Sequence, residues 1–229
     1  MKVAFLGLDI TPGKVKYQDP KFQELVIKFE PQKETPFFIE LAKEDFATAD
    51  AVLVAADKLL DFLILDMEKL ENRRDATQDP KEKALIIKCL TALEKEVPLC
   101  QLEFNEEEQV LLRGLAPYSL NPTVIADKTA PLNTLIEQAL KTSATAFFYT
   151  CGKKEVHAWP FKLGMDIVTC AGKIHSDLAR GFIRAEIVNY DDLMQVHNYQ
   201  EAKDKGLVKL VGRDYITKDG DIIEIKFNV

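Results

Sequence analysis

The apolar positions of this chain fall into two textures that change near residue 142. In the front part, residues 2–8, 35–41 and 50–56 are short, nearly continuous apolar runs, as expected of strands buried on both faces, and 121–126 adds a fourth. Between the first two, Asp19-Pro20 precedes Phe22, Leu25, Val26 and Phe29 at helical spacing, which predicts a helix with an aspartate N-cap and a proline in its first turn. The stripe Leu59, Leu63, Met67 and Leu70, widened by Leu60 and Phe62, and the stripe Ile86, Leu90, Leu93 and Val97 after Asp79-Pro80 predict an antiparallel helical hairpin with a charged tip at 71–75. Asn105 followed by Glu106, Glu107 and Glu108 predicts a capped helix running to Leu112, and Pro131 opens another with the stripe Leu132, Leu135, Ile136 and Leu140.

After Thr142-Ser143 the pattern becomes one of short strands and turns. Residues 146–149 and 155–161 flank Cys151-Gly152-Lys153-Lys154, while 182–188 and 222–227 alternate with period two, the last after the turn Lys218-Asp219-Gly220-Asp221. Two short helices are expected near 190–196 and 199–205. About 80 residues of this kind make a compact α+β module. The predicted organisation is therefore an α/β domain over 1–56 and 115–145, a helical hairpin inserted at 57–114, and an α+β module at 146–229.

Composition narrows the class of protein. The 229 residues are 47% hydrophobic and 29% charged, ordinary for a globular protein. Charges interrupt the longest apolar runs, so none reaches the ~18–20 residues of a membrane span. The first apolar run stops at Asp9, too short for a signal peptide, so a cytoplasmic location is expected. Cys89, Cys100, Cys151 and Cys170 have neither CxxC nor His-paired spacing and read as small buried hydrophobes rather than zinc or redox centres. The net charge of −7 is uneven: residues 146–229 hold 12 basic and 12 acidic side chains, leaving 18 and 25 for the first 145. An acidic front argues against a broad phosphate-binding surface there, and the neutral back leaves room for a local basic patch.

The segments Tyr149-Thr150-Cys151-Gly152-Lys153-Lys154-Glu155-Val156-His157-Ala158-Trp159, Ala171-Gly172-Lys173-Ile174-His175-Ser176-Asp177, Arg180-Gly181-Phe182-Ile183-Arg184-Ala185-Glu186, and Asp219-Gly220-Asp221 through Phe227-Asn228-Val229 closely resemble the C-terminal TGS domain of the YchF (Obg-like ATPase) family. The front half is similar more loosely, through Asp19-Pro20-Lys21-Phe22, residues 35–40, Ala49-Asp50-Ala51-Val52, 65–71 and Asn105-Glu106-Glu107-Glu108. The resemblance implies a reduced P-loop NTPase-like sheet, an inserted helical hairpin and a β-grasp (ubiquitin-like) TGS domain, with ATP or GTP and Mg²⁺ as the family's ligands.

The residues for such a ligand are incomplete. A P-loop needs G-x-x-x-x-G-K-[ST] leading into a helix whose N-terminal amides hold phosphate. Here Gly7 and Gly13-Lys14 are one residue too far apart, Pro12 lacks an amide, and Val15 cannot ligate a metal. Lys14 lies six positions before Pro20, so the helix would begin about a turn and a half late. Where the family pattern has Asp-x-x-Gly the chain reads Glu40-Leu41-Ala42-Lys43, and where it reads a base with Asn-x-x-Asp the chain has Ala126-Asp127-Lys128-Thr129. Gly7, Gly13, Lys14, Asp127 and Lys128 are thus vestigial nucleotide-site candidates, with no cofactor expected and retained ATP or GTP binding as the alternative.

His175-Ser176-Asp177 names the residue types of a triad, but triads are assembled from distant segments, and a polar turn before the strand at 182 is the simpler expectation. The sequence therefore points to a non-catalytic relative acting as a binding module for ribosome or RNA. Candidate contacts are Lys153, Lys154, Lys162, Lys173, Arg180 and Arg184, with Trp159 either among them or in the core. A residual NTPase and a scaffold that dimerises through the hairpin stripes are the other readings.

Overall fold

The computed structural model describes residues 1–228, and Val229, the end of the last quoted motif, lies outside the described residues. The chain divides into two units, Met1–Val15 with Ile39–Ser143 and Lys16–Phe38 with Ala144–Val229. Each contains one sheet, and the protein is mixed α/β.

The first sheet has the order β2 (Gly13–Lys16), β4 (Phe38–Lys43), β1 (Lys2–Leu6), β5 (Ala51–Ala55), β6 (Thr123–Ala126), and β4, β1, β5 and β6 run parallel. Every side chain of β5 is buried. Its neighbours pair with both its edges, while helices α2 (Leu59–Ala76) and α5 (Leu132–Thr142) pack against it, which explains an unbroken apolar run in place of alternation. The predicted hairpin is formed by α2 and α3 (Pro80–Leu93), and Phe62, Leu63 and Leu70 share a core with Leu85, Ile86, Cys89, Leu90 and Leu93. Two details differ from expectation. Residues 71–75 belong to the last turns of α2 rather than to the tip, and Val97 lies beyond the end of α3. Asp79 sets the start of α3, its side chain accepting from the Lys81 amide with Pro80 in the first turn. The next helix, α4 (Glu106–Leu115), carries the full capping box: the Glu108 amide donates to Asn105 Oδ1, and the Asn105 amide to Glu108 Oε2, both at 2.9 Å.

Two buried carboxylates hold this unit's irregular parts. Asp66, fully buried on α2, accepts from the Tyr118 amide at 2.6 Å through one oxygen and from the Ser119 amide at 2.7 Å through the other. Burial pushes its carboxyl above the ordinary range, against the pull of those hydrogen bonds. Glu82 on α3 takes a bidentate pair from Arg73, at 2.7 and 3.0 Å, and the Thr77 hydroxyl, closing the hairpin tip.

The second sheet has the order β10 (Lys209–Val211), β9 (Phe182–Asn189), β11 (Asp221–Phe227), β7 (Thr145–Cys151), β8 (Glu155–Lys162), β3 (Lys33–Thr35). The last strand, β11, is central, antiparallel to β9 and parallel to β7. Helix α6 (Ile167–Ile174) covers one face, where Ile167, Cys170 and Ala171 meet Phe148, Phe161, Ala185, Ile187 and Ile223. Short helices α7 (Ser176–Arg180), α8 (Tyr190–Met194) and α9 (Tyr199–Asp204) complete the unit. Helix α6, the short α7, β2 and the edge strand β10 are elements that the hydropathy pattern did not announce.

Residues 16–38 depart from the expected domain boundaries. The run 35–41 is two strands: β3 pairs with β8 in the second sheet, and β4 pairs with β1 in the first. Pro36 separates them, lacking an amide for a ladder and constraining Thr35 before it. Helix α1 (Pro20–Phe29) belongs to the second unit, where its N-cap Asp19 accepts from the Lys21 amide at 3.0 Å and from the Tyr149 hydroxyl at 2.7 Å.

Replacing Asp66 by alanine strands two backbone amides. Urea unfolding of Asp66→Ala is expected to show a loss of about 2–4 kcal/mol, and Asp66→Asn, which keeps one acceptor, a smaller one. Glu82 is held below its ordinary pKa of 4.5 by Arg73 and Thr77. Its stabilisation is therefore present above the unfolded-state value and lost as pH falls through the lower folded-state value. Melting temperatures measured from pH 6 to pH 3 should drop more steeply for the wild type than for Glu82→Gln.

Candidate functional site

In the first unit, the segment that should cradle phosphate does not curl into a helix. Gly7 follows β1 with φ +72°, and an added Cβ there would lie 2.5 Å from Lys58 Cγ, so this glycine serves a close approach of chain to side chain. Residues 9–12 are irregular, and Gly13-Lys14 then open strand β2 at the edge of the sheet. Helix α1, the first in the chain, starts at Pro20 within the other unit. Lys14 is exposed on a strand rather than in the first turn of a helix. Asp127 accepts from the amide and hydroxyl of Thr129, both at 2.8 Å, and Lys128 pairs with Asp57 at 2.7 Å. These residues form a turn after β6 whose carboxylate already has local partners. The residues present do not fit a Mg²⁺–nucleotide cradle, and among the described residues no group of three His, Cys, Asp or Glu side chains could hold a metal ion.

In the second unit, Lys153 and Lys154 are exposed at the turn between β7 and β8, with Lys153 3.7 Å from Glu30. Lys162 sits at the other end of that ladder, paired across from Thr145 whereas Val156 pairs with Cys151, a separation of about 20 Å at strand rise. Lys173 ends α6, Arg180 ends α7 and binds Asp177 at 2.8 Å, and Arg184 is exposed on β9. The candidate contacts are thus distributed around the unit rather than gathered in one patch. His175 is the N-cap of α7, its Nδ1 accepting from the Asp177 amide at 3.2 Å, so His175-Ser176-Asp177 is a helix start and not a triad. Trp159 is half-buried, stacked on His157 at 3.6 Å between ring centroids, and its Nε1 donates to Thr150 Oγ1 at 3.0 Å.

A cleft of about 1000 Å³ also lies in this unit, where Lys153 and Lys154 meet Lys28 and Phe29 of α1, His197 to Gln200, Ile174, Leu178 and one edge of β11. Lys28, Phe29 and Tyr199 had no site signal in the sequence, because the walls come from five distant segments. Cys151, half-buried, lines the cleft, and burial pushes its thiol pKa up.

Residues 146–228 match the family model YchF-GTPase_C, described as a protein of unknown function (DUF933). The ribosome-binding ATPase YchF of Mycoplasma genitalium is 38% identical over 185 residues, covering 80% of this chain and 47% of that protein. The Bacillus subtilis ribosome-binding ATPase YchF is 39% identical over 148 residues, covering 65% of this chain and 37% of that protein. The chain thus spans about half, or less, of the length of these relatives. In fold it is similar to the solved Schizosaccharomyces pombe YchF GTPase, with a TM-score of 0.78 over 99% of this chain and 97% of that one, at 15% identity. A parallel sheet joined to a helical hairpin, followed by a TGS-like C-terminal unit, defines a relative of the YchF-type GTPases. The chain belongs to the YchF family.

The His157–Trp159 stack gives this unit an optical readout. Burial lowers the His157 pKa below its ordinary 6.5, so the unfolded chain takes up the proton first and stability falls as pH drops through the unfolded and then the folded value. Trp159 is the sole tryptophan. Its fluorescence should be quenched on acidification with a midpoint below 6.5, and His157→Gln should abolish that transition.

Proposed function

We propose that this chain is a ribosome- or RNA-binding module of YchF type in which the front unit is a reduced P-loop NTPase-like scaffold that no longer handles nucleotide. The observation that carries the loss is the path of Gly13-Lys14 into an edge strand, with the nearest helix in sequence starting at Pro20. Phosphate binding of the P-loop kind needs consecutive amides at a helix N-terminus, and Pro12 removes one amide in addition. No catalytic residue is assigned.

The C-terminal part of the second unit is read as a β-grasp domain, because β7 and β11, its first and last strands after residue 144, lie side by side and parallel with one helix packed across the sheet. The relatives named as ribosome-binding support an RNA or ribosome partner for it. The exposed bases Lys153, Lys154, Lys162, Lys173, Arg180 and Arg184 supply phosphate contacts from several sides, in keeping with a partner that surrounds much of the unit. No described helix is long and apolar enough to cross a membrane.

Two measurements test this reading. Titration calorimetry with millimolar ATP or GTP and Mg²⁺ is expected to show no binding; saturable heat at either nucleotide would restore the residual-NTPase alternative. Co-sedimentation with ribosomes is expected at low salt, falling as salt rises, and the triple variant Lys162→Glu/Lys173→Glu/Arg184→Glu should weaken it by at least ~10-fold. Absence of co-sedimentation at low salt would remove the ribosome reading.

A further inference from the structure

The parallel register between β7 and β11 consists of one residue pair, Ile222 with Tyr149. Beyond it β11 continues to Phe227, paired on its other side with β9 as far as Phe182, while β7 goes on to Cys151. The two strands part, and the cleft opens between them. Thr150 to Glu155 form one wall and Ile222 to Phe227 the other. Ile174 and Leu178 close it from the side of α6 and α7, and Phe29 and Tyr199 from the opposite face of the sheet.

An edge opened inside a sheet has a specific chemistry. Backbone polar groups along a strand alternate between its two sides; the Tyr190 amide donates to the Gly220 carbonyl and the Asn228 amide to the Gly181 carbonyl across the β9 register, so Ile222, Glu224 and Lys226 face β9 and Ile225 directs its N–H and C=O to the side that β7 has left. The surrounding wall is mostly apolar, with Ile223 and Ile225 on β11, Ile174 and Leu178, and the rings of Phe29 and Phe227, and it also carries Glu155 and Glu224. Tyr199, on the same wall, has a buried hydroxyl without a hydrogen-bond partner among the described residues. At the mouth stand Lys153 and Lys154, both exposed, with Lys28, whose ammonium donates to the Val196 carbonyl.

We propose that this cleft takes an extended peptide segment of a partner protein, which lies along β11 as an added strand. Such a segment completes the ladder that β7 abandons, puts apolar side chains at alternate positions into the cleft, and carries acidic residues at the end that meets the lysines. A nucleic-acid strand would satisfy the lysines and the rings but not the open ladder edge, which is why the peptide is favoured. The inference does not rest on the ribosome reading and can fail separately from it.

The test uses the full chain and a fluorescein-labelled nine-residue peptide in which valine and threonine alternate between aspartate ends. Saturable anisotropy is expected, together with slowed hydrogen exchange at the Ile225 amide. Replacing the central valine of the peptide by proline should abolish both. On the protein, Phe227 is 46% exposed, so Phe227→Asp leaves the core intact. Phe227→Asp is expected to weaken binding by about 10-fold, and Lys154→Glu by a few-fold. Circular dichroism of each variant establishes that it folds. Equal binding of the proline peptide, no saturation at millimolar peptide, or unchanged exchange at Ile225 would overturn the proposal. So would a twelve-residue oligouridine that binds in place of the peptide and is lost with Phe227→Asp.

Discussion

The hydrogen bond from the Tyr149 hydroxyl to Asp19 decides how the first forty residues are used. Asp19 is buried, at 5% exposure, and does two things with one carboxylate: it caps α1 through the Lys21 amide and anchors it to β7 through Tyr149. Burial raises the pKa of Asp19 and pushes that of Tyr149 far up, so the pair is desolvated and removal of either member leaves a buried polar group unmatched. Once α1 is committed to the second unit, the chain leaving β1 has only residues 7–16 in which to turn back to the sheet edge. It does so as β2. A helix at Gly13-Lys14 would have to be built from residues that the second unit already uses.

That commitment also bears on where the cleft lies. In the first unit the strand ends carry Gly7, Asp127 and Lys128, each engaged locally by close packing, by Thr129 or by Asp57. In the second, α1 brings Lys28 and Phe29 to the end of the sheet where β7 and β11 part. The same helix thus furnishes a wall of that cleft. Its place is set by burial of Phe22 and Leu25 and by the Asp19 cap, not by any ligand.

Much of this was legible in the sequence where the signal is local. The aspartate-proline starts of α1 and α3, the capping box at Asn105 and the apolar run of β5 depend on neighbours in the chain, and each is found where the pattern puts it. The strand at 35–41 was misread because apolar continuity says nothing about which sheet a residue joins; Pro36 held the information, as a break in the ladder. Strand β2 was missed because Gly13 to Lys16 is largely exposed and carries no period. Helix α6 is eight residues long and strongly apolar, so its face cannot be told from a buried strand by periodicity alone.

The site was less legible than the fold for a related reason. Lysines can be counted in a sequence, but whether they converge depends on register. Lys153 and Lys162 lie nine positions apart in sequence and at opposite ends of a seven-pair ladder, whereas Lys28 and Lys153, far apart in sequence, line one cleft. The cleft itself arises from the early end of the β7–β11 register. No residue type encodes that departure, since Ile223, Ile225 and Phe227 alternate as they would in a fully paired strand. What distinguishes them is the loss of the partner on one side, which leaves an ordered strand edge lined by apolar side chains within an otherwise paired sheet. Open edges of that kind are normally blunted by charge or covered. Here lysines stand at the mouth and Glu155 and Glu224 along the walls, charges that discourage stacking of copies while the apolar strip of β11 stays open to one chain.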